Sequence, residues 1–467
     1  MAAAAVIVGT AALLFLLYGP SYINYDAQYA LLWARDAWSG AAPEYTADFA
    51  PTPHPLATAL SSLALPFGHD ADLIVLAAVL LSFGALAVVV YRLGAHLFTP
   101  AVGAVAAAVV LTRPAMQRDA LLAYQDVPFA LLIVTAVYLE AKQQRRGVAV
   151  LGLLALAGLL RPEAWVLAGL YWLYLWPQAT TKARITTAAL VAAAPLIWAL
   201  TDLIVTGDLM HSLHGTADLA EANDRRRSPS DVPYWTAQYY GYALREPLVL
   251  GVPIGLAFAW LHARRPALLP LATVLAMTVV FAIGPLFGLP LIRRYVETPA
   301  ALLTLFYGLA VCAGLIVKER RWRIAGLIAL ALSVAYLPWH ARELSQIERR
   351  LDRDGPMYAD LQRTTETERV RQAFARCAPM TAGDHRPIPF VRFWLDGEPG
   401  SVTTVEAGSP LGRMLLLPRR GPTTQRIYND RAGTFPDVTP PAGWERIHRN
   451  RSWRVYAAPG CVTDPPS

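Results

Sequence analysis

Asp26 is the residue around which chemistry can be built. It stands in Tyr25-Asp26-Ala27-Gln28-Tyr29, a few residues past an apolar run at about 2–20. A carboxylate can take the proton of a hydroxyl nucleophile that lies within hydrogen-bond reach, ~2.6–3.2 Å. Asp also suits the N-cap of a helix over Ala27–Trp38, and at this stage both roles stay open. A second acidic stretch reads Arg118-Asp119, then Tyr124-Gln125-Asp126-Val127-Pro128. Asp119 and Asp126 are seven apart and would share one face of a single helix. Asp126 too could cap the helix that follows it. If Asp26 and Asp126 meet, their oxygens would suit Mg²⁺ or Mn²⁺ better than zinc, and no His/Cys cluster has zinc spacing.

Positive partners are present. Arg293-Arg294-Tyr295 offers adjacent guanidiniums, whose planar forks match a phosphate, although arginines near a membrane also reach toward lipid head groups. Arg161-Pro162-Glu163-Ala164-Trp165 can tie Arg161 to Glu163 or turn Arg161 toward a lipid phosphate. His54 sits in Pro51-Thr52-Pro53-His54-Pro55-Leu56, inside a long segment over about 21–71. A bare connector between helices needs only roughly 2–8 residues. Another long segment, Thr206–Pro247, carries His211, His214, Arg225-Arg226-Arg227 and the aromatic pairs Tyr234-Trp235 and Tyr239-Tyr240. That composition suits an interfacial amphipathic stretch.

The elements that position these residues are membrane helices. The chain is 55% hydrophobic and 16% charged, well below the roughly 25% charged of soluble domains. Eleven apolar runs lie at about 2–20, 72–91, 101–112, 127–139, 148–160, 164–176, 186–205, 248–262, 267–285, 299–317 and 324–338. The first lacks a basic flank and a small-residue cleavage site, so it reads as a retained helix. All three lysines, Lys142, Lys182 and Lys318, fall on alternate short loops, which predicts a cytoplasmic N-terminus. An odd number of spans then places the chain after residue 339 outside. The net charge of +7 is scattered over loops without a nucleic-acid motif, which argues against a nucleic-acid partner.

Residues 340–467 differ in character from 1–339. A charged helical stretch over 342–376 precedes strand-like runs at Pro389–Leu395 and Met414–Leu417 and a hairpin of Trp444–His448 with Trp453–Ala458. These predict a small extracytoplasmic α/β domain after a helical transmembrane domain. Cys377 and Cys461 bracket the strands, and an oxidising exterior favours a disulfide between them, worth roughly 2–4 kcal/mol.

The middles of the apolar runs carry almost no ionisable groups, whereas ion-coupled transporters place such groups at membrane depth. Asp26, His54, Asp126, Arg161, Glu163, Arg293 and Arg294 gather instead at the predicted outer ends. With these residues in view, the chain resembles the GT-C superfamily of integral-membrane glycosyltransferases. The branch is the family 39 type, which includes protein O-mannosyltransferases and lipid A aminoarabinose transferases. Tyr25-Asp26 with the long first loop, His54-Pro55-Leu56, Tyr124 to Pro128, Arg161-Pro162-Glu163 and Arg293-Arg294-Tyr295 carry the resemblance.

The resemblance implies an inverting transferase with a polyprenyl-phosphate sugar donor in a bacterial plasma membrane. Asp26 would be the general base and Asp126 the second acid, alone or with a divalent cation. Arg293, Arg294 and Arg161 would hold the donor phosphate, and Tyr25, His54, Glu163 and Tyr295 would line the substrate site. The acceptor would be a glycan, a lipid or a protein. The family often has two adjacent acids in the first loop, where this chain has Tyr25-Asp26. Two other classes remain open: a lipid-linked sugar flippase or polymerase, and a non-enzymatic cell-envelope scaffold.

Overall fold

The computed structural model describes residues 1–222, 225, 228–419 and 438–462; Arg226 and Arg227 lie outside them. All eleven apolar runs fall on helices. The first half of the chain forms α1 (Ala2–Tyr18), α2 (Tyr25–Trp38), α3 (Pro55–Ser61), α4 (Ala71–Leu97), α5 (Pro100–Thr112), α6 (Pro114–Leu121), α7 (Asp126–Lys142), α8 (Val148–Gly158), α9 (Glu163–Leu175) and α10 (Thr181–Thr206). The second half adds α11 (His211–Ala222), α12 (Val232–Leu244), α13 (Leu248–His262), α14 (Arg264–Ile283), α15 (Glu297–Ile316), α16 (Arg320–Glu366), α17 (Glu368–Cys377) and α18 (Ile388–Trp394). Among the described residues, five helical segments are long and apolar enough to cross a membrane, or seven if two bent pairs each count as one. The helices α1, α5 and α8 are apolar but shorter.

The bundle is built around α15. Nearly every residue from Glu297 to Ala313 is buried, as expected of a helix that is apolar all round. Its neighbours approach through small residues, which let backbones come close in lipid. Gly255 of α13 shows how close: a Cβ there would lie 1.7 Å from the Phe306 carbonyl oxygen.

Two features of the bundle differ from the sequence expectation. The pair α6–α7 is bent by 118° at the break between Leu121 and Asp126. Asp119 and Asp126 therefore lie on different helices and share no face. In addition, α16 runs without interruption from Arg320 through Pro338 and Pro356 to Glu366. At 1.5 Å per residue it is about 70 Å long, and Trp339 lies inside it.

The C-terminal region forms a five-stranded sheet, β1 (Met380–Ala382), β2 (Val402–Thr404), β3 (Met414–Pro418), β4 (Glu445–Arg449) and β5 (Trp453–Ala457), in the order β2-β1-β3-β5-β4. β1 is parallel to both β2 and β3, and β5 is antiparallel to β3 and β4. The β4–β5 hairpin turns at Asn450, whose side-chain oxygen accepts from the amides of Ser452 and Trp453 at 3.0 and 2.8 Å. The expected strand at Pro389–Leu395 is instead the helix α18. Proline occupies its first turn, where the missing N–H costs nothing, and burial of every residue from Ile388 to Trp394 left no alternation to read. Cys377 and Cys461 are joined by a disulfide.

This sheet does not stand apart from the start of the chain. Tyr29, Leu31, Leu32 and Trp33 of α2 share one apolar core with Phe390, Trp394, Val402, Leu416 and Trp453. A buried polar clamp reinforces the junction. Arg392, fully enclosed, donates from Nη2 to both carboxylate oxygens of Asp36 at 2.7 and 2.8 Å. Its Nη1 donates to Glu44 Oε2 at 3.1 Å. From the other side, Arg35 donates to the carbonyls of Arg392, Phe393 and Gly397.

Candidate active site

The position of Asp26 is set two residues earlier. The Asn24 side-chain oxygen accepts from the amides of Asp26 (2.8 Å) and Ala27 (3.1 Å), so Asn24 caps α2. Asp26 lies within the first turn and is not the cap. The same Asn24 donates its backbone N–H and its side-chain amide to the Leu122 carbonyl at 2.8 and 2.7 Å. Ser21 Oγ donates to the Leu121 carbonyl. The entry to α2 is thereby tied to the α6–α7 bend, which brings Asp26 and Asp126 to one end of the bundle. An Asn24→Ala substitution removes the cap and the tie together. It is expected to destabilise α2 by ~1 kcal/mol for the cap alone and to raise hydrogen exchange over Tyr25–Tyr29. Unchanged exchange there would refute this role.

The third strand of the site arrives on the turn before α15. Arg294 donates from Nη1 to Asp126 Oδ2 at 3.2 Å and from Nη2 to Asp26 Oδ2 at 3.4 Å. One guanidinium thus bridges acids that are 100 positions apart in sequence. It also lies over the Tyr124 ring, 4.1 Å from the centroid. The other oxygen of Asp126, Oδ1, accepts from Arg161 Nη1. Arg161 pairs with Glu163 at 2.6 Å and stacks on Tyr295, 4.0 Å from the centroid. The Arg161–Glu163 tie and the Arg161–Asp126 pair coexist. Asp126 and Arg161 are buried, while the Asp26 side chain keeps 29% of its exposure. Asp26 is therefore the most exposed charged member of the set, followed by Arg294 at 19%.

The remaining residues singled out from sequence lie around this core. Arg293 points elsewhere than Arg294, toward Asp119 (3.6 Å) and Glu297 (3.7 Å), with Tyr242 under its guanidinium at 4.5 Å. Tyr25 donates its hydroxyl to the Phe49 carbonyl at 3.1 Å and packs against Tyr29 and His385. His54 stands edge-on to Trp198 at 5.6 Å, and its enclosed Nδ1 has no hydrogen-bond partner among the described residues.

Two members went unread in the sequence. Glu297 is buried beside Arg293, and its i,i+4 spacing was the available signal. Asn24 gave only the generic signal of a good capping residue. A divalent cation shared by Asp26 and Asp126 meets a competing arrangement, because the guanidinium of Arg294 lies between their Oδ2 atoms and Arg161 takes the remaining oxygen of Asp126. Protein cations already balance both acids.

No protein-family model and no curated protein matches this chain. Solved structures do match its fold. ArnT from Cupriavidus metallidurans bound to undecaprenyl phosphate aligns over 98% of this chain and 98% of its own length, with a TM-score of 0.57 at 15% identity. Its apo state gives 0.56 at 13% identity. The Archaeoglobus fulgidus oligosaccharyltransferase in complex with Zn and sulfate aligns over 86% of this chain and 62% of its own, with a TM-score of 0.51 at 13% identity. This chain shares its fold with ArnT over nearly its whole length and with the oligosaccharyltransferase over most of it.

Proposed function

We propose that this protein is a membrane glycosyltransferase that moves a sugar from a polyprenyl-phosphate donor to an acceptor hydroxyl, with inversion. The observation that carries the reading is the meeting of Asp26, Asp126 and Arg294 from three distant stretches at one end of an apolar bundle. Its fold is shared with ArnT, a protein solved with undecaprenyl phosphate bound. In this reading about eleven spans cross a bacterial plasma membrane, the N-terminus is cytoplasmic, and residues 340–467 form a domain outside. The site then faces the exterior, where a lipid-carried donor supplies the sugar.

The chemistry follows from the charges. Asp26 accepts the proton as the acceptor oxygen attacks the anomeric carbon, and the bond from that carbon to the phosphate oxygen breaks. Negative charge grows on the departing lipid phosphate, where preorganised cations are most effective. Arg294 is the cation nearest Asp26, with Arg161 and Arg293 behind it, and all three can offer forked N–H groups to phosphate oxygens. Asp126 orients Arg161 and Arg294 and keeps them in place between turnovers. Tyr25, His54, Glu163 and Tyr295 shape the walls.

The test is direct. Purified protein in lipid nanodiscs, given a panel of polyprenyl-phosphate sugars with glycan, lipid and peptide acceptors, is expected to release polyprenyl phosphate with one donor. Undecaprenyl phosphate alone is expected to raise its thermal midpoint, and Arg294→Ala to weaken that shift by roughly tenfold in ligand concentration, about 1.4 kcal/mol. Absence of both release and thermal shift across the panel would refute the proposal.

A further inference from the structure

Apart from the arginine-bound acids, one other cluster of ligand-type side chains stands out among the described residues, beside the C-terminal sheet. Asp384 and His385 follow β1 by two and three residues, and Glu406 follows β2 by two. β1 and β2 are parallel neighbours, so all three side chains issue from the carboxyl ends of adjacent parallel strands, the place where open α/β sheets present their ligands. One ligand atom from each residue lies within 4.8 Å of the other two. His385 Nδ1 is 2.6 Å from Glu406 Oε2 and 4.0 Å from Asp384 Oδ1.

The donors are held from behind. The His385 amide donates to Glu406 Oε2 at 3.0 Å, and the Arg386 amide donates to Asp384 Oδ1 at 2.8 Å. The imidazole is packed between Phe49, stacked at 4.6 Å, and Tyr25, edge-on at 5.5 Å. Such outer contacts fix the orientation of a ligating histidine. Asp384 and His385 are themselves buried.

We infer that Asp384, His385 and Glu406 form a binding site for one divalent transition-metal ion, of the zinc class. An imidazole with two carboxylates suits zinc better than magnesium, which demands oxygen ligands in octahedral array. Tetrahedral zinc with ligands at ~2.1 Å sets them ~3.4 Å apart, so the observed cluster needs only side-chain rotation to close. Three protein ligands leave a fourth position open. The ion would tie the loops after β1 and β2 to Tyr25 and Phe49, and so hold the sheet against the segment that carries Asp26. The site does not depend on the proposed sugar transfer, since its ligands are separate from the transferase residues.

The experiment uses the full chain in nanodiscs, stripped with a chelator, dialysed against Zn²⁺, Mn²⁺ or Mg²⁺ and assayed for bound metal by mass spectrometry. One zinc per chain and a zinc-dependent rise in thermal midpoint are expected. His385→Gln and Glu406→Gln are each expected to weaken zinc binding by about 10–100-fold or more. Circular dichroism and the intact disulfide report their folding, with Asp384→Asn as a third variant should either misfold. Asp26→Asn and Asp126→Asn are expected to keep the zinc. The inference is overturned if the wild type retains no zinc, if it selects Mg²⁺, or if the folded cluster variants bind zinc like the wild type. Loss of zinc in Asp26→Asn with retention in His385→Gln would also overturn it, by moving the metal to the transferase acids.

Discussion

Asp26→Asn is expected to lower sugar transfer by roughly 10²–10⁴-fold, the usual share of a positioned general base, while leaving the fold in place. The substitution keeps the shape of the side chain and the Asn24 cap below it. It removes one partner from Arg294, yet that guanidinium still pairs with Asp126 at 3.2 Å. The lost Asp26–Arg294 contact is partly exposed, so its removal should cost stability only ~0–1 kcal/mol. Donor binding, read from the undecaprenyl phosphate thermal shift, should hold or tighten as a negative charge leaves the site. Transfer within threefold of wild type would end the assignment of Asp26 as base. A variant that lost donor binding and transfer together would assign Asp26 to binding instead.

The second large effect is structural. Arg392 is enclosed and serves Asp36 with two hydrogen bonds and Glu44 with a third. Replacing it by alanine leaves Asp36, itself 2% exposed, with only the more distant Arg35, at 3.8 Å, as counter-ion. Breaking one side of a buried pair typically costs about 3–5 kcal/mol. The urea concentration at which the sheet becomes open to protease should therefore fall sharply. Replacing both partners by apolar residues of similar volume is often nearly neutral, so Arg392→Met combined with Asp36→Leu should recover much of the loss.

The effect should also depend on pH. Burial pushes the Asp36 carboxyl above its ordinary range, and the Arg392 guanidinium pulls it back toward ionisation. Without Arg392 the folded-state pKa rises further while the unfolded value stays fixed. An acid raised in this way stabilises the fold while protonated and loses that contribution as pH climbs through its folded pKa. The deficit of Arg392→Ala should thus be larger at pH 8 than at pH 5. Equal deficits at both would show that Asp36 is already ionised at pH 5 in the variant's fold.

The helices of the bundle were legible because each carries a run of apolar residues, long or short, and that signal is local. The convergence of Asp26, Asp126 and Arg294 was approached through sidedness, since acids and arginines at the same ends of successive runs have few places to go. What escaped were features made by tertiary contact. Asn24 gives no sign in sequence that it reaches the Leu122 carbonyl across 98 positions. Asp119 and Asp126 have the spacing of one helix face, but a bend of 118° separates them. β1 and β2 have three residues each, too short for an alternation to show. The stretch Pro389–Leu395 is buried on every side through Trp394, so neither helical nor strand periodicity marks it. Glu406 lies 21 positions from His385, beyond any spacing that announces a ligand set.

The core shared by α2 and the sheet has a consequence for how the molecule is made. Asp36 and Arg392 lie 356 positions apart, which a ribosome working at about 5–20 residues per second separates by roughly 20–70 s. Through that interval Leu31, Leu32 and Trp33 have been synthesised but lack the Phe390, Trp394 and Trp453 side chains that cover them. A nascent chain released early therefore carries α2 with the apolar face of Leu31, Leu32 and Trp33 uncovered.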